Sequence, residues 1–299
     1  MTRRIDLAGS LVALVTPTVG DEIDRDALEA LVDWHVDQGT DGIVAAGTTG
    51  EAPTLSAREH REVLGIVIDR AAGRLPVIAG CGSNNTAEAL GYHRFAAEAG
   101  ADAALHVVGY YNLPDPAGVQ AHFERLDAAS DLPIIVYNVP PRTGIDIGPE
   151  AMLALSRLEH VIGVKDATGD LARISLERAL IGDDFVYLSG EDVTALAYNA
   201  AGGVGCISVT ANVAPRACAQ FQRACRDGDP IEARRRHDAL VPLHRALFAE
   251  RSPAGVRYAC SLLGLCANEP RLPLVPVSTE TEGRIARAMG SVLGTGSVS

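Results

Sequence analysis

Lys165 is the one lysine in a chain of 299 residues whose other 25 Lys/Arg side chains are all arginine. For ion pairing and surface charge arginine serves at least as well, but its guanidinium gives up no proton at accessible pH. A neutral lysine amine attacks a carbonyl carbon. With a keto acid the product is a Schiff base, an electron sink from which an enamine forms. An amine with an ordinary pKa near 10.4 is neutral in fewer than about one molecule in a thousand at pH 7. A dry setting that disfavours the ammonium by roughly 4 kcal/mol lowers that pKa by about three units. An arginine-rich composition also permits a chance lysine, so the surroundings have to decide.

An aldol reaction through such an enamine needs proton carriers, and the hydroxyls of Tyr137, Tyr111 and Thr48 can each donate and accept. The turn Gly47-Thr-Thr-Gly50 offers backbone N–H groups and the Thr48 and Thr49 hydroxyls to a carboxylate, although the same residues suit an ordinary strand-to-helix turn. Arg142, in Tyr137-Asn-Val-Pro-Pro-Arg-Thr-Gly144, can clamp a second carboxylate bidentately; the alternative is a surface arginine in a proline-stiffened loop. Glu51 and Asp166 stand near these residues in sequence, and each fits a loop hydrogen bond or a contact with the helical layer better than general-base work.

These residues need a scaffold that brings distant segments together. Short runs rich in Val, Ile and Ala recur at residues 10–16, 42–46, 76–80, 103–108, 133–138, 161–165, 185–189 and 204–209. Between them lie helical periodicities, for example over 26–38, 57–72, 86–99 and 117–129. Continuous apolar strands alternating with helices imply a parallel sheet covered on both faces, and eight such units predict an α/β fold, a (β/α)8 TIM barrel. The barrel is expected over residues 1–225. Residues 226–299 are expected to form a C-terminal helical extension with a Gly/Ser-rich tail from Gly290. In this architecture chemistry sits at the C-terminal ends of the strands. Lys165 ends the sixth predicted strand, and Gly47 to Glu51, Tyr110 to Asn112, Tyr137-Asn138, Ser189-Gly-Glu191 and Ile207-Ser208 end others.

Several functions are disfavoured. A formal charge of −12 argues against nucleic acid, and the basic run Arg234-Arg-Arg236 sits among Glu232 and Asp238 as a solvated helix face. Six cysteines without a Cys-x-x-Cys pair suit neither zinc nor a disulfide framework, so free thiols in a reducing compartment are expected. No apolar run approaches the roughly 20 residues of a membrane span. The N-terminal segment lacks an apolar h-region, and a cytoplasmic protein is expected. Gly80-Cys-Gly82 and Gly202-Gly-Val-Gly205 lack the dinucleotide-binding context, and the histidines form no i, i+4 pair for a metal.

Taken as a set, Gly47-Thr-Thr-Gly-Glu51, Tyr110-Tyr-Asn112, Tyr137 to Gly144, Gly163-Val-Lys-Asp-Ala-Thr-Gly169, Ser189-Gly190 and Gly202 to Asn212 resemble the dihydrodipicolinate synthase and N-acetylneuraminate lyase family of pyruvate-dependent class I aldolases. The resemblance spans residues 9–276 in family order. It implies that Lys165 forms a Schiff base with pyruvate. It further implies that Tyr137, Thr48 and Tyr111 form a proton relay, with Tyr111 reaching in from a neighbouring subunit. Thr49 would hold the pyruvate carboxylate, Gly190 and the Ile207 backbone would lie against the substrate, and Arg142 would receive the carboxylate of aspartate semialdehyde. The implied reaction condenses pyruvate with L-aspartate 4-semialdehyde to 4-hydroxy-tetrahydrodipicolinate, toward diaminopimelate and lysine. The implied assembly is a homotetramer, a dimer of dimers, with no cofactor and no metal.

The paired threonines and Arg142 favour the synthase side of the family over the lyase side. The chain departs from the family pattern at Val108-Gly109, where Thr-Pro is usual, at Ser252-Pro253 and at Ala52-Pro53. His60, Asn84, Glu88 and Tyr110 match positions that bind feedback lysine in sensitive members, whereas Ala52, Pro53 and Ala57 do not match. Two alternatives stay open: a related aldolase acting on a sugar-derived 2-keto acid, which would not need Arg142, and a non-catalytic paralogue that binds a keto acid or amino acid.

Overall fold

The computed structural model describes residues 6–294. Among these, eight parallel strands close into a barrel: Gly9–Ala13, Gly42–Ala45, Val77–Gly80, Ala103–Val107, Ile134–Asn138, Val161–Asp166, Val186–Ser189 and Gly205–Ser208. The first strand pairs with both the second and the eighth, which seals the sheet. Each strand is buried on both faces, as parallel strands under a helical layer must be. Leu11, Val44, Ile78, Leu105, Ile135, Leu188 and Ile207 fill the barrel interior. Ile134, Val136, Val164 and Tyr187 face outward and pack with helix residues such as Phe123, Met152 and Ile174.

Local chemistry sets where the helices start and stop. Asp24 caps Arg25–Gln38 by accepting from Ala27 N, and Gly39 ends it in the left-handed region. Ser56 and Glu59 form a reciprocal capping box on Ala57–Ala71. Asp115 caps Pro116–Asp127, with proline at the first helical position. These caps orient each helix as it leaves the C-terminal end of the preceding strand, the end that carries the candidate residues.

Beyond the helix Pro215–Arg226 lie Pro230–Leu247, Ala254–Leu262 and Thr279–Leu293. Their Leu240, Leu243, Val256, Ala259, Ile285 and Met289 are buried in one cluster with Val12 and Leu14, so the extension shares a core with the barrel. The last helix runs through Leu293, which corrects the reading of a tail from Gly290: Ile285 and Met289 anchor that segment. The remainder of that tail, and the N-terminal residues 1–5, lie outside the described residues. A two-stranded ribbon, Thr18–Val19 with Glu22–Ile23, was not expected from the sequence. Among the described residues no helix is long and apolar enough to cross a membrane.

Candidate active site

Lys165 is the penultimate residue of the sixth strand rather than its last, because pairing extends to Asp166 opposite Asn138 and Ser189. Strand alternation then separates the two neighbours. Lys165 is in register with Tyr137 on one side and Leu188 on the other, both on the inner face. Asp166 belongs to the outer face, where Oδ1 accepts from Thr168 N at 2.8 Å. Burial raises the Asp166 pKa, partly offset by the Thr168 hydrogen bonds. Lys165 is 6% exposed, and its amine lies 4.2 Å from the centroid of the Tyr137 ring. Gly163 lets the next strand approach closely, since a Cβ there would lie 2.5 Å from Val186 O.

A cavity of about 410 Å³ opens above this pair, lined by Thr48, Thr49, Tyr110, Tyr137, Arg142 and Lys165 among others. Thr48 and Thr49 are presented by a tight turn in which Glu51 N donates to Thr48 O at 3.1 Å and Ala52 N to Gly47 O at 3.2 Å. Glu51 itself has φ +57°, a left-handed conformation unusual for a residue other than glycine. Its carboxylate explains why the turn holds. Glu51 Oε1 accepts from Arg257 Nη1 at 2.7 Å, and Oε2 accepts from Arg271 N at 2.8 Å. Arg257 is 1% exposed and also donates to Thr16 O, Thr18 Oγ1 and Ala267 O. Thr16 Oγ1 in turn donates to Gly50 O at 2.8 Å. The helical extension thus grips the threonine turn through one buried ion pair.

Arg142 lies in the single helical turn Pro140–Thr143, started by its prolines and stopped by Gly144 at φ +78°. Its Nη2 donates to Ser252 O at 3.3 Å, and the side chain stays exposed at the cavity mouth. Glu191, following Ser189-Gly190, is within electrostatic reach of both Lys165 and Arg142. Burial dominates and raises its pKa, the Asp192 charge adds to that, and the two cations oppose it. Asp192 is held apart from this chemistry by Ser208 Oγ and by Val209 N and Thr210 N.

The structure therefore gathers Lys165, Tyr137, Thr48, Thr49 and Arg142 around one cavity. Tyr111 is not among the cavity-lining residues of its own chain: at φ +72° it is 92% exposed. Ile207 is buried in the barrel interior below the cavity. Gly190 donates its N–H to Asp166 O at 2.6 Å, and a Cβ there would strike Ala167. Of the residues matched to an effector site, His60, Glu88 and Tyr110 line the same cavity as Lys165, while Asn84 lies outside it and donates to Tyr110 O at 3.2 Å. His60 stacks on Tyr92 at 3.9 Å between centroids, and its Nε2 is 2.7 Å from Gly80 O. Burial lowers its pKa below the usual histidine value. Sequence reading placed Glu191 at a strand end without giving it a role, and did not find the Glu51–Arg257 pair. A separation of 206 residues left no signal for that pair.

The chain matches the model of the Dihydrodipicolinate synthetase family over residues 6–291. It is 56% identical over 283 residues to the 4-hydroxy-tetrahydrodipicolinate synthase of Parvibaculum lavamentivorans, an alignment covering 95% of this chain and 97% of that protein. The crystal structure of dihydrodipicolinate synthase from Aquifex aeolicus superposes with a TM-score of 0.93 at 43% identity, covering 95% of this chain and 97% of the other. The chloride-inhibited dihydrodipicolinate synthase from Acinetobacter baumannii, solved in complex with pyruvate, superposes with a TM-score of 0.93 at 40% identity, covering 96% and 99%. With the barrel, the strand-end lysine and the threonine turn in place over this length of match, the chain belongs to the dihydrodipicolinate synthetase family.

Proposed function

We propose that the protein is a cytoplasmic 4-hydroxy-tetrahydrodipicolinate synthase that condenses pyruvate with L-aspartate 4-semialdehyde. The observation that carries this reading is the in-register pair Lys165 and Tyr137 at the floor of a cavity rimmed by Thr48, Thr49 and Arg142. Lys165 Nζ attacks the keto carbon of pyruvate, and the Tyr137 hydroxyl passes a proton to the departing oxygen, so that water leaves and the Schiff base forms. Thr49 and the turn around it hold the pyruvate carboxylate. Loss of a methyl proton gives the enamine, whose carbon adds to the aldehyde while Arg142 holds the second carboxylate. The amine of the semialdehyde then attacks the imine carbon, closing the ring and releasing Lys165.

The relay is completed by Thr48 and by Tyr111 of a second copy in a dimer of dimers. The exposure of Tyr111, away from its own cavity, supports a reach between subunits. Gly190 and the Ile207 backbone shape the floor under the bound keto acid. The His60, Glu88 and Tyr110 end of the cavity, with Asn84 behind it, is the place for an amino-acid effector. An unchanged rate at millimolar lysine would dispose of that role.

The reading is tested by incubating the protein with both substrates and identifying the cyclic product by mass spectrometry. Replacement Arg142→Ala should lower kcat/KM for the semialdehyde by about 10²-fold, as expected for a lost charge-assisted clamp of roughly 2–3 kcal/mol. Turnover of a sugar-derived 2-keto acid with Arg142 dispensable would favour the alternative aldolase.

A further inference from the structure

The helix Ala254–Leu262 ends in a chain reversal that has no part in the chemistry above. Leu265 N donates to Cys260 O and Gly264 N to Ser261 O, each at 3.0 Å, with Gly264 at φ +69°. These are the paired bonds of a glycine helix stop. The reversal folds the following segment back over the last helical turn. That lays Cys266 against the helical turn 257–260, which carries Cys260. Cys260 Sγ lies 3.8 Å from Asn212 O, and Cys266 Sγ lies 3.8 Å from Arg257 O. Cys260 is fully buried and Cys266 only half-buried, so Cys266 is the member of the pair nearer solvent. Cys225, the other half-buried cysteine, lies on the helix Pro215–Arg226, away from this reversal.

We propose that Cys260 and Cys266 are a redox-active dithiol that low-molecular-weight disulfides convert into an intramolecular disulfide. The Cys266 thiolate attacks one sulfur of the reagent and expels the first thiolate, leaving a mixed disulfide. Cys260 then loses its proton and attacks Cys266 Sγ, expelling the second. Two protein S–H bonds are exchanged for one S–S bond, and the reagent is reduced to two thiols. The neighbouring Cys260 thiol lowers the Cys266 pKa below the ordinary thiol value, and the nearby Arg257 charge acts the same way against burial.

The position gives the bond a reach beyond the helix stop. Ala267, the next residue, accepts from Arg257 Nε at 3.1 Å, and Arg271 N holds the second oxygen of Glu51. Arg271 also donates to Thr54 O and to Glu59. The strap 266–271 thus carries two of the contacts that fix the threonine turn, and tying it to the helix stiffens that turn.

The test treats the intact protein in its native assembly with oxidised glutathione, then counts thiols and maps peptides by mass spectrometry. The expected result is a fall from six free thiols to four, a Cys260–Cys266 cross-linked peptide lighter by two hydrogens, and full reversal by dithiothreitol. Cys266→Ser should abolish the cross-link and Cys225→Ser should leave it intact. Hydrogen exchange of the 47–54 segment should slow several-fold in the oxidised protein. No reaction, a persistent glutathione adduct on Cys266, or cross-linking of other cysteines would overturn the dithiol. Unchanged exchange at 47–54 alongside a confirmed cross-link would overturn the link to the threonine turn.

Discussion

Glu51 and Arg257 form an ion pair of 2.7 Å with neither side chain exposed beyond a few per cent, and this pair joins the C-terminal extension to the turn that carries Thr48 and Thr49. Two buried charges at this distance are stable as a pair, because removal of either leaves the other desolvated and unmatched. Glu51→Gln or Arg257→Leu should each lower unfolding stability by about 3–5 kcal/mol. The double variant should lose less than the sum of the two. Denaturant unfolding of the four proteins checks this, and additive losses would show that the two side chains act independently.

The barrel was legible in the sequence because its strands are buried on both faces and read as apolar runs. Each of the eight runs overlaps a strand, and two strands, Gly9–Ala13 and Val161–Asp166, extend one residue beyond their runs. The ends were less legible, as the first shows: the run 10–16 continues past Gly9–Ala13 because Leu14 and Val15 remain buried after pairing stops, with Val15 N turning to Asn212 Oδ1. Lys165 stood out by residue type, and Thr48, Thr49, Tyr137 and Arg142 by motif. What the chain order does not display is direction. Whether Tyr111 turns toward its own cavity depends on a positive φ, and the support under the threonine turn depends on a pairing across 206 residues.

In the proposed relay Tyr111 reaches in from a second copy, and mixing two damaged chains tests this directly. Lys165→Ala and Tyr111→Phe should each be nearly inactive alone. Hybrid dimers formed from both contain one site with an intact lysine and an intact tyrosine, so activity should return to about half of the wild-type value per dimer. A mixture as inactive as its parents would place Tyr111 within its own site or outside the relay.

Glu177 lies on the helix Arg173–Ile181, 1% exposed, with Oε2 buried and without a partner. Burial, with the Asp166 charge acting the same way, pushes its carboxyl from 4.5 up to about 8. Between these values the folded chain keeps a proton that the unfolded chain has released. The stability contributed by neutral Glu177 is therefore full below pH 4.5 and is lost as pH rises through about 8. Glu177→Gln removes the titration. The variant should gain on the wild type between pH 5 and pH 8, by roughly 2 kcal/mol or more at the upper end. Parallel stability profiles would contradict the buried neutral carboxyl.

The central claim is that Lys165 forms the covalent bond to the keto acid. Borohydride reduction in the presence of pyruvate, followed by peptide mass spectrometry, reads this without interference from other side-chain amines, since the chain has one lysine. The account predicts a single stable adduct on the peptide containing Lys165, absent when pyruvate or borohydride is omitted. An unmodified Lys165 under conditions where the enzyme turns over would contradict it.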